Sequence, residues 1–501
     1  MDISSIYYLI FIIGVMFIYW YLPYKVQWIW LLFGSIFFYY MNAPFYTYIY
    51  ILLNVGSVYI ATLLLEKVKH RKIVVVSTII FNVLILSALK YMNFLFRTIN
   101  SIFSTNISDI DLTASLAISF YLLALLAYLL EVYWRVEKAE KNPLKLLLFT
   151  SFFPVMTSGP ISKYGKLSQQ LFEEHRFDYK KVTGGLKRIA IGLFKKRGIA
   201  GEVALLVNVV YEDFYHFHGI CIWLATFLYA VQLYMDFSGC MDIVIGSAEC
   251  LGITLEENFS SPFFSKTMQE FWRRWHITLG TWLRDYIMNP ILKTKFFINL
   301  GKWGKKKFGK NIGKKIPVYL AMLILWSLMG LWHGGSWKFI VGEGWWFWLV
   351  IILEQITEPI GDVVYRKFKI SRDNKLVSTA RMAKVFFCFS IGMVFFRSNS
   401  LIDAFRMLVS GMDWSNTSIL IMEWIAQSGI LNNMFLFLLA MIGILFVWIG
   451  DGMNYVGKSF AYYWDKLPPF VRMAGYWCIC IIMIYLFCDM AEAPAFIYNQ
   501  F

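Results

Sequence analysis

Residues 317–346 read "PVYLAMLILWSLMGLWHGGSWKFIVGEGWW" and place one histidine among glycines in a long apolar run. His333 follows Pro317 by sixteen residues, about 24 Å along a helix that rises about 1.5 Å per residue. A helix that begins at the basic segment before Pro317 therefore carries this imidazole deep into a bilayer. Ionisable residues at such depth are costly, so a functional role is the default interpretation. The alternative is a hydrogen-bonded histidine at a tightly packed helix crossing, because Gly330 and Gly334 allow close approach of another group.

The composition of the whole chain agrees with a membrane environment. Hydrophobic residues make up 59% and charged residues 16%, whereas soluble domains carry about 25% charged residues. Long apolar runs without strand-like alternation predict helices that cross a bilayer, and the clearest are Ile6–Leu22, Ile73–Leu89, Leu116–Leu130, Asn432–Gly450 and Gly475–Phe487. We expect an all-α polytopic protein with ten to twelve crossings. No repeat or low-complexity linker divides the chain, so we expect one domain over residues 1–501.

Lys and Arg residues in the short loops predict the orientation. Basic loops alternate with loops that lack Lys and Arg: Glu66–Lys72 and Trp134–Lys145 are basic, whereas Met41–Pro44 and Ser104–Ser115 are not. Basic loops stay in the cytoplasm, so we expect the N-terminus outside. The strongest basic segments, Lys187–Arg197 and Lys293–Lys315, then lie at the cytoplasmic face. There they favour contact with anionic membrane lipid over nucleic acid.

A second histidine lies in the segment "EFWRRWHITLGTWLRD", residues 270–285. We expect one amphipathic helix in the membrane interface, with apolar and basic side chains on different sides: Trp272, Trp275 and Leu279 against Arg273 and Arg284. On such a helix a lone His276 is usually a polar-face residue without a special role. The arginines suit phosphates of coenzyme A or an acidic carrier protein, and they suit lipid headgroups equally well.

Two carboxylates near apolar segments, Asp236 and Asp285, are rare in this chain. We expect each of them to pair with a buried Arg, because a charge in an apolar region needs a partner, and a catalytic role is the alternative. The seven Cys residues show no ligand-like spacing to His, so we predict no metal site.

Several long motifs of unusual composition carry a family resemblance. They are "DFSG" (Asp236–Gly239), "ENFSSPFFSKTMQEFWRRWHITLGTWLRDYI" (Glu257–Ile287), "GLWHG" (Gly330–Gly334), "KYMNF" (Lys90–Phe94), "ISFY" (Ile118–Tyr121), "FFPVMTSGPISKY" (Phe152–Tyr164), "VFFRSNSLIDAF" (Val394–Phe405) and "APAFIYNQF" (Ala493–Phe501). In content and order they resemble the membrane-bound O-acyltransferase (MBOAT) family. The resemblance is to the alginate O-acetylation membrane protein type, and more distantly to the teichoic acid D-alanyl transfer protein.

The resemblance implies the MBOAT fold, with interfacial or re-entrant helices around a central funnel, in a bacterial inner membrane. It implies transfer of an acyl group, in the first instance acetyl, from a cytoplasmic thioester across the membrane for O-acetylation of a cell-surface polysaccharide. His333 matches the family's essential histidine and His276 its second histidine. A positioned imidazole suits removal of the hydroxyl proton, although His333 as a nucleophile stays open. The substrate-binding residues that we predict are Trp332, Gly334, Arg273, Asp236 and Trp272.

The resemblance also implies partners and leaves alternatives. The donor is acetyl-CoA or another acyl thioester, without a tightly bound cofactor, and an acyl carrier protein is an alternative at the cytoplasmic face. A separate extracytoplasmic transferase of the Ser-His-Asp hydrolase-like kind would complete the modification. Cys240 and Met241 replace the usual Tyr and Ser after "DFSG", and Trp346-Phe347 replaces a frequent His-Gly. These departures leave the acceptor and the acyl chain open. D-alanyl transfer to teichoic acid, a non-catalytic scaffold and a transporter remain alternatives.

Overall fold

The computed structural model describes residues 1–110, 117–372, 374–458 and 460–488. Within these ranges the secondary structure is helical, apart from one isolated antiparallel β-bridge between Phe259 and Trp275. Seven helices in the described part are long and apolar enough to cross a membrane: Phe45–Leu65, Arg71–Phe103, Ile220–Cys250, Ile316–His333, Lys338–Lys367, Lys375–Arg397 and Ile430–Tyr455. Two shorter apolar helices are Ile6–Tyr21 and Ile118–Tyr133. The prediction of an all-α polytopic membrane protein is confirmed.

The five apolar runs predicted from the sequence correspond to helices. These are Ile6–Tyr21, Arg71–Leu86, Ile118–Tyr133, Met434–Tyr455 and Pro469–Cys488. The count of ten to twelve crossings and the orientation stay predictions. The motif at 493–501 lies outside the described residues.

The chain forms two compact units, residues 1–192 with 240–257, and residues 193–239 with 258–501. The prediction of one domain stays a prediction. The helices of the first unit are Ile6–Tyr21, Tyr24–Asn42, Tyr48–Leu65, Arg71–Leu86, Met92–Phe103, Ile118–Tyr133, Pro143–Ser151, Phe153–Met156, Tyr164–Phe172 and Tyr179–Leu193. The helix Ile220–Cys250 contributes its first twenty residues to the second unit and its remainder to the first.

An ion-pair cluster and a glycine contact hold the core of the first unit. The Arg188 guanidinium reaches three carboxylates, at 3.1 Å for Asp242, 3.2 Å for Glu249 and 2.6 Å for Glu257. One turn earlier, the backbone of Gly185 lies against that of Gly246, where a Cβ on either residue would collide with the other's carbonyl. Part of the basic segment 187–197 therefore serves internal pairing.

The second unit contains both histidines of interest. Its helices are Gly201–Glu212, Met268–Arg274, Ile277–Leu283, Asn289–Leu292, Lys295–Gly313, Ile316–His333, Trp346–Lys367, Lys375–Arg397, Leu401–Ser410, Thr417–Gln427, Met434–Tyr455, Phe460–Asp465 and Pro469–Cys488. Three π-helical segments interrupt this pattern at Phe194–Ala200, Arg284–Met288 and Lys338–Trp345. Pro317 lies in the first turn of its helix, where the missing N–H of proline costs nothing.

The expectation of one continuous amphipathic helix over residues 270–285 was wrong. The helix Met268–Arg274 ends before Trp275, and a new helix begins at Ile277. The preceding loop causes the break, because Ser260 N–H donates to the Arg274 carbonyl at 3.0 Å and Ile277 N–H donates to the Asn258 carbonyl at 3.0 Å. These bonds replace helical ones.

Candidate functional site

His333 is the last residue of the helix Ile316–His333 and is 5% exposed. Its Nδ1 lies 2.8 Å from Oε2 of Glu343, whose carboxylate is also buried. Glu343 belongs to the π-helical segment Lys338–Trp345, which follows the helix after a short turn. The chain thus contacts the His333 imidazole again ten residues later, through Glu343.

Glycines allow this close return. A Cβ on Gly330 would collide with the carbonyl of Phe339, and a Cβ on Gly344 would meet the carbonyl oxygen of Trp326. The helix and the π-helical segment therefore pack backbone against backbone, which side chains larger than hydrogen would prevent. The close approach expected from the glycines is confirmed, and it places Glu343 against His333.

His276 forms the break between the two short helices and adopts a left-handed conformation with φ of 48°. This conformation is uncommon for a residue with a side chain, so the surrounding contacts must hold it. His276 is 3% exposed, and its ring lies edge-on to Phe237 with 4.9 Å between ring centroids. It is a buried residue of the second unit and not the polar-face residue of an interfacial helix.

Asn258 fixes the orientation of the His276 ring. Its Oδ1 accepts the backbone N–H of Thr278 at 3.1 Å and the Thr278 hydroxyl at 3.0 Å. The same oxygen lies 3.3 Å from Nδ1 of His276. An N–H can only donate, so this Asn atom is the oxygen, and His276 Nδ1 must then donate to it. The lone pair of a neutral His276 is therefore on Nε2.

Burial lowers the pKa of His276 well below its ordinary value of 6.5, and the nearby His333 lowers it further. Removal from water disfavours the charged imidazolium, and a second imidazole that gains charge adds repulsion. His276 is consequently neutral near pH 7.

Trp332 brings the two histidines into one site. Its ring centroid lies 5.9 Å from that of His276 and 5.1 Å from that of His333. The structure thus assembles His276, Trp332 and His333, three of the residues predicted from the sequence. Whether each of them contacts a substrate stays a prediction.

The predicted residue Trp272 lies in an aromatic cluster. Its ring is 4.9 Å from Trp326 and 4.8 Å from Phe347. Phe347, the residue that replaces the glycine of the expected His-Gly, is fully buried and packs against Gly392.

A cavity of about 370 Å³ lies between the helices Trp346–Lys367 and Lys375–Arg397, but neither histidine lines it.

Asp236 is paired with a buried lysine, whereas we expected a buried arginine. Its Oδ1 accepts from Lys196 Nζ at 2.6 Å, and Lys196 is 0% exposed. Lys196 belongs to the segment predicted as a basic surface run, so that interpretation was wrong for this residue. The turn Phe194–Ala200 is π-helical and carries the lysine inward. Asp285 contacts the neighbouring Arg284 at 3.3 Å, and the side chain of this arginine is exposed.

The remaining predicted residues have different environments. Arg273 is exposed on the helix Met268–Arg274. Arg274 is engaged, since its Nε lies 3.1 Å from Glu270 and its Nη1 donates to the Ser260 carbonyl at 3.1 Å. Gly334 packs on the ring of Phe339, where a Cβ would collide. Packing alone explains this glycine, and a substrate contact there stays a prediction.

Sequence reasoning missed Glu343 and Asn258. Glu343 had a usable signal, because it is a lone carboxylate in the apolar stretch after His333 with a glycine on either side. Asn258 lies in the motif Glu257–Ile287, but nothing in the sequence pairs it with His276, eighteen residues later.

Helical spans around two buried histidines define a polytopic membrane protein. The model of the MBOAT, membrane-bound O-acyltransferase family matches residues 137–396. The chain therefore belongs to the membrane-bound O-acyltransferase family. The match includes both histidines, Asn258 and Glu343.

Curated relatives carry related names. The chain is 30% identical over 345 residues to the peptidoglycan O-acetyltransferase of Helicobacter pylori, covering 62% of each chain. It is 32% identical over 344 residues to the probable alginate O-acetylase AlgI of Pseudomonas syringae, covering 67% of this chain and 60% of the relative. It is 31% identical over 209 residues to the teichoic acid D-alanyltransferase of Bacillus subtilis, covering 40% and 49%. The chain thus spans less than two thirds of the length of these relatives.

Proposed function

We propose that the protein is an O-acyltransferase that passes an acyl group, acetyl in the first instance, from a thioester donor to a hydroxyl of a cell-surface polysaccharide. The observation that carries this proposal is the pair of buried, oriented imidazoles at His276 and His333 in a membrane-bound O-acyltransferase chain. Two relatives are named as a peptidoglycan O-acetyltransferase and a probable alginate O-acetylase. These names support acetyl as the transferred group and a polysaccharide as the acceptor.

His333 acts as general base, or as a transient acyl acceptor, in this reaction. As a base it removes the hydroxyl proton while the hydroxyl oxygen attacks the thioester carbonyl, a contribution of about 10²- to 10⁴-fold. His276 is neutral because of its burial, so it can accept a hydrogen bond from the acceptor hydroxyl and orient it. Both roles need an imidazole shielded from bulk water.

The test replaces His333 in the native host. We expect His333→Ala to abolish surface O-acetylation while the protein stays in the membrane at a normal level, measured by mass spectrometry of the surface polymers and by immunoblot of membranes. The matched control is His216→Ala, since His216 is half-exposed and contacts Glu423 at 2.8 Å. Full acetylation in the His333→Ala strain would contradict the proposal and favour a non-catalytic scaffold or a transporter.

D-alanyl transfer is the second candidate function. The resemblance to the teichoic acid D-alanyltransferase of Bacillus subtilis favours it, although over 40% of this chain. The same mass spectrometry separates the candidates, because the ester released from the polymer is either acetate or D-alanine. A strain without this protein that loses D-alanine and keeps acetate would overturn O-acetylation.

The donor and the orientation belong to the same proposal. We place the basic helix Lys295–Gly313 at the cytoplasmic face of a bacterial inner membrane, with the N-terminus outside. Acetyl-CoA, another acyl thioester or an acylated carrier protein would approach from that side. Accessibility labelling of single cysteines introduced at Lys306 and Asn42 tests this placement. Labelling of the Lys306 position from outside intact cells would contradict it.

Two kinds of partner complete the proposal. The helix Lys295–Gly313 exposes Phe296, Trp303 and Ile312 beside its lysines, which suits an interface of anionic membrane lipid. A separate extracytoplasmic transferase of the Ser-His-Asp hydrolase-like kind would bind the polysaccharide. Affinity purification of the native complex tests for the latter, and we expect a hydrolase-like protein in it. Recovery of this chain alone would count against that partner.

A further inference from the structure

We propose that Glu343 is a positioning residue that holds the His333 imidazole with its proton on Nδ1, so that Nε2 is the nitrogen that meets the substrate. The contact that carries this inference is the 2.8 Å between His333 Nδ1 and Glu343 Oε2. Both side chains are almost completely buried, with 3% and 2% exposure. A contact of this length between buried groups controls which nitrogen holds the proton.

The charge of Glu343 decides which group can donate across this contact. An ionised carboxylate only accepts, so the imidazole must donate from Nδ1. Lys338 brings a positive charge into the same buried π-helical segment and donates to the carbonyls of Phe396 at 3.1 Å and Ser398 at 2.6 Å. Lys338 and Glu343 thus place side chains of opposite formal charge in one buried segment.

The backbone makes the placement of Glu343 rigid. Gly342 and Gly344 flank it, and each is packed so closely that a Cβ would collide, with the Phe395 ring for Gly342 and with the Trp326 carbonyl for Gly344. The two atoms of the His333–Glu343 contact are close, but the N–H does not point straight at the oxygen. Catalytic hydrogen bonds often align fully only when substrate binds.

This tautomer has a defined consequence for the acyl transfer proposed above, on which the kinetic part of the inference rests. The acceptor oxygen attacks the thioester carbonyl carbon while Nε2 takes the hydroxyl proton. The carbon–sulfur bond then breaks, and the thiolate takes the proton from Nε2 to leave as a thiol beside the new ester. Glu343 exchanges no proton, and it stabilises the imidazolium together with the C-terminal end of the helix Ile316–His333.

The first experiment reads the tautomer without any activity. Protein with ¹⁵N-labelled histidine is studied by nuclear magnetic resonance in lipid nanodiscs, and the variant His333→Gln assigns the signal among the six histidines. We expect the Nδ1–H tautomer for His333 in the wild type and a shift toward Nε2–H in Glu343→Leu. An Nε2–H tautomer in the wild type would overturn the inference, even if His333 proves essential.

The second experiment measures kcat and KM for transfer from acetyl-CoA to a soluble hydroxyl acceptor. We expect Glu343→Gln, which keeps the shape and removes the charge, to lower kcat about 10²-fold with KM within about twofold, and Glu343→Asp to recover part of kcat. The control is Glu358→Gln, the same change at an exposed position of the following helix. Rates are expressed per folded protein from gel filtration, so a loss of folding alone leaves kcat unchanged.

The two experiments separate the failure of this inference from the failure of the proposed function. If Glu343→Gln keeps the wild-type kcat, the positioning role is wrong while acyl transfer stands. If the wild type transfers no acetyl group, the tautomer measurement still decides between Nδ1–H and Nε2–H.

Discussion

The segments around His276 and around His333 bury an imidazole by different means. His333 is held by its own neighbourhood, since the helix that ends with it and the π-helical segment ten residues later pack through glycines. His276 is held by a residue far back in the chain, Asn258, whose loop breaks the helix around it. A local arrangement leaves a trace in the sequence pattern, and a non-local one does not.

The largest expected effect breaks the local arrangement. Gly330→Ala should destabilise the protein by about 3 kcal/mol, because its new methyl group meets the Phe339 carbonyl in a crowded crossing. Acyl transfer should fall with it, since Glu343 moves away from His333. The melting temperature in detergent and the rate of acetyl transfer measure the two effects.

Gly450→Ala is the matched control, because nothing lies within 4 Å of a Cβ at that helical position. Alanine there should raise the stability by up to about 1 kcal/mol, since glycine is the poorer helix former. Equal melting temperatures for the two variants would show that the crossing at Gly330 is loose.

The second prediction breaks the non-local arrangement. Asn258→Ala removes the acceptor shared by the Thr278 N–H, the Thr278 hydroxyl and His276. A buried N–H without a partner costs about 1–3 kcal/mol, so we expect a loss of about 2 kcal/mol and a lower rate, as the His276 ring is free to turn. The exposed Asn432→Ala should change neither quantity. An unchanged rate in Asn258→Ala would mean that the His276 orientation does not matter.

The same contrast between local and non-local contacts explains which structural features could be predicted from the sequence. Composition and apolar runs predicted the helices, because the bilayer demands long apolar segments whatever their partners are. The helix that runs from the basic segment to His333 is confirmed, and the depth of His333 in the bilayer stays a prediction. The inward turn of Lys196 toward Asp236 did not follow, since a lysine in a basic run carries no mark that a π-helical turn will bury it.

The break at His276 was beyond the sequence for a related reason. The spacing of Trp272, Trp275 and Leu279 fits the periodicity of a single helix, and the helix propensities of the residues are compatible with one. Tertiary hydrogen bonds from residues 258–260 override this preference. The structure brings His276, Trp332 and His333 together, and their role as a site stays a prediction. The orientation of His276 depends on contacts from another part of the chain.

A third, smaller effect concerns pH. The pKa of His276 in the folded protein lies well below 6.5, while the unfolded chain keeps about 6.5. Below that pH the unfolded state binds a proton that the folded state does not bind. The free energy of unfolding therefore falls as the pH drops, by at most about 1.4 kcal/mol per pH unit. Melting temperatures between pH 7.5 and 5.5 should fall less steeply for His276→Gln than for the wild type. Parallel slopes would contradict the burial of a neutral imidazole.

The smallest expected effect compares two adjacent arginines. Arg274→Gln loses the contact to Glu270 within its own helix and the contact to the Ser260 carbonyl in the loop that breaks the helix. This loss should cost about 1 kcal/mol. Arg273→Gln removes an exposed charge and should change the stability by less than about 0.5 kcal/mol. If Arg273 meets donor phosphates, its replacement raises the KM for acetyl-CoA several-fold at low salt and abolishes the salt dependence of KM, because exposed charges are screened. An unchanged KM at all salt concentrations would favour the alternative, in which Arg273 contacts lipid headgroups. Arg274, which holds the loop at Ser260, would then be the member of this arginine pair that supports the conformation around His276.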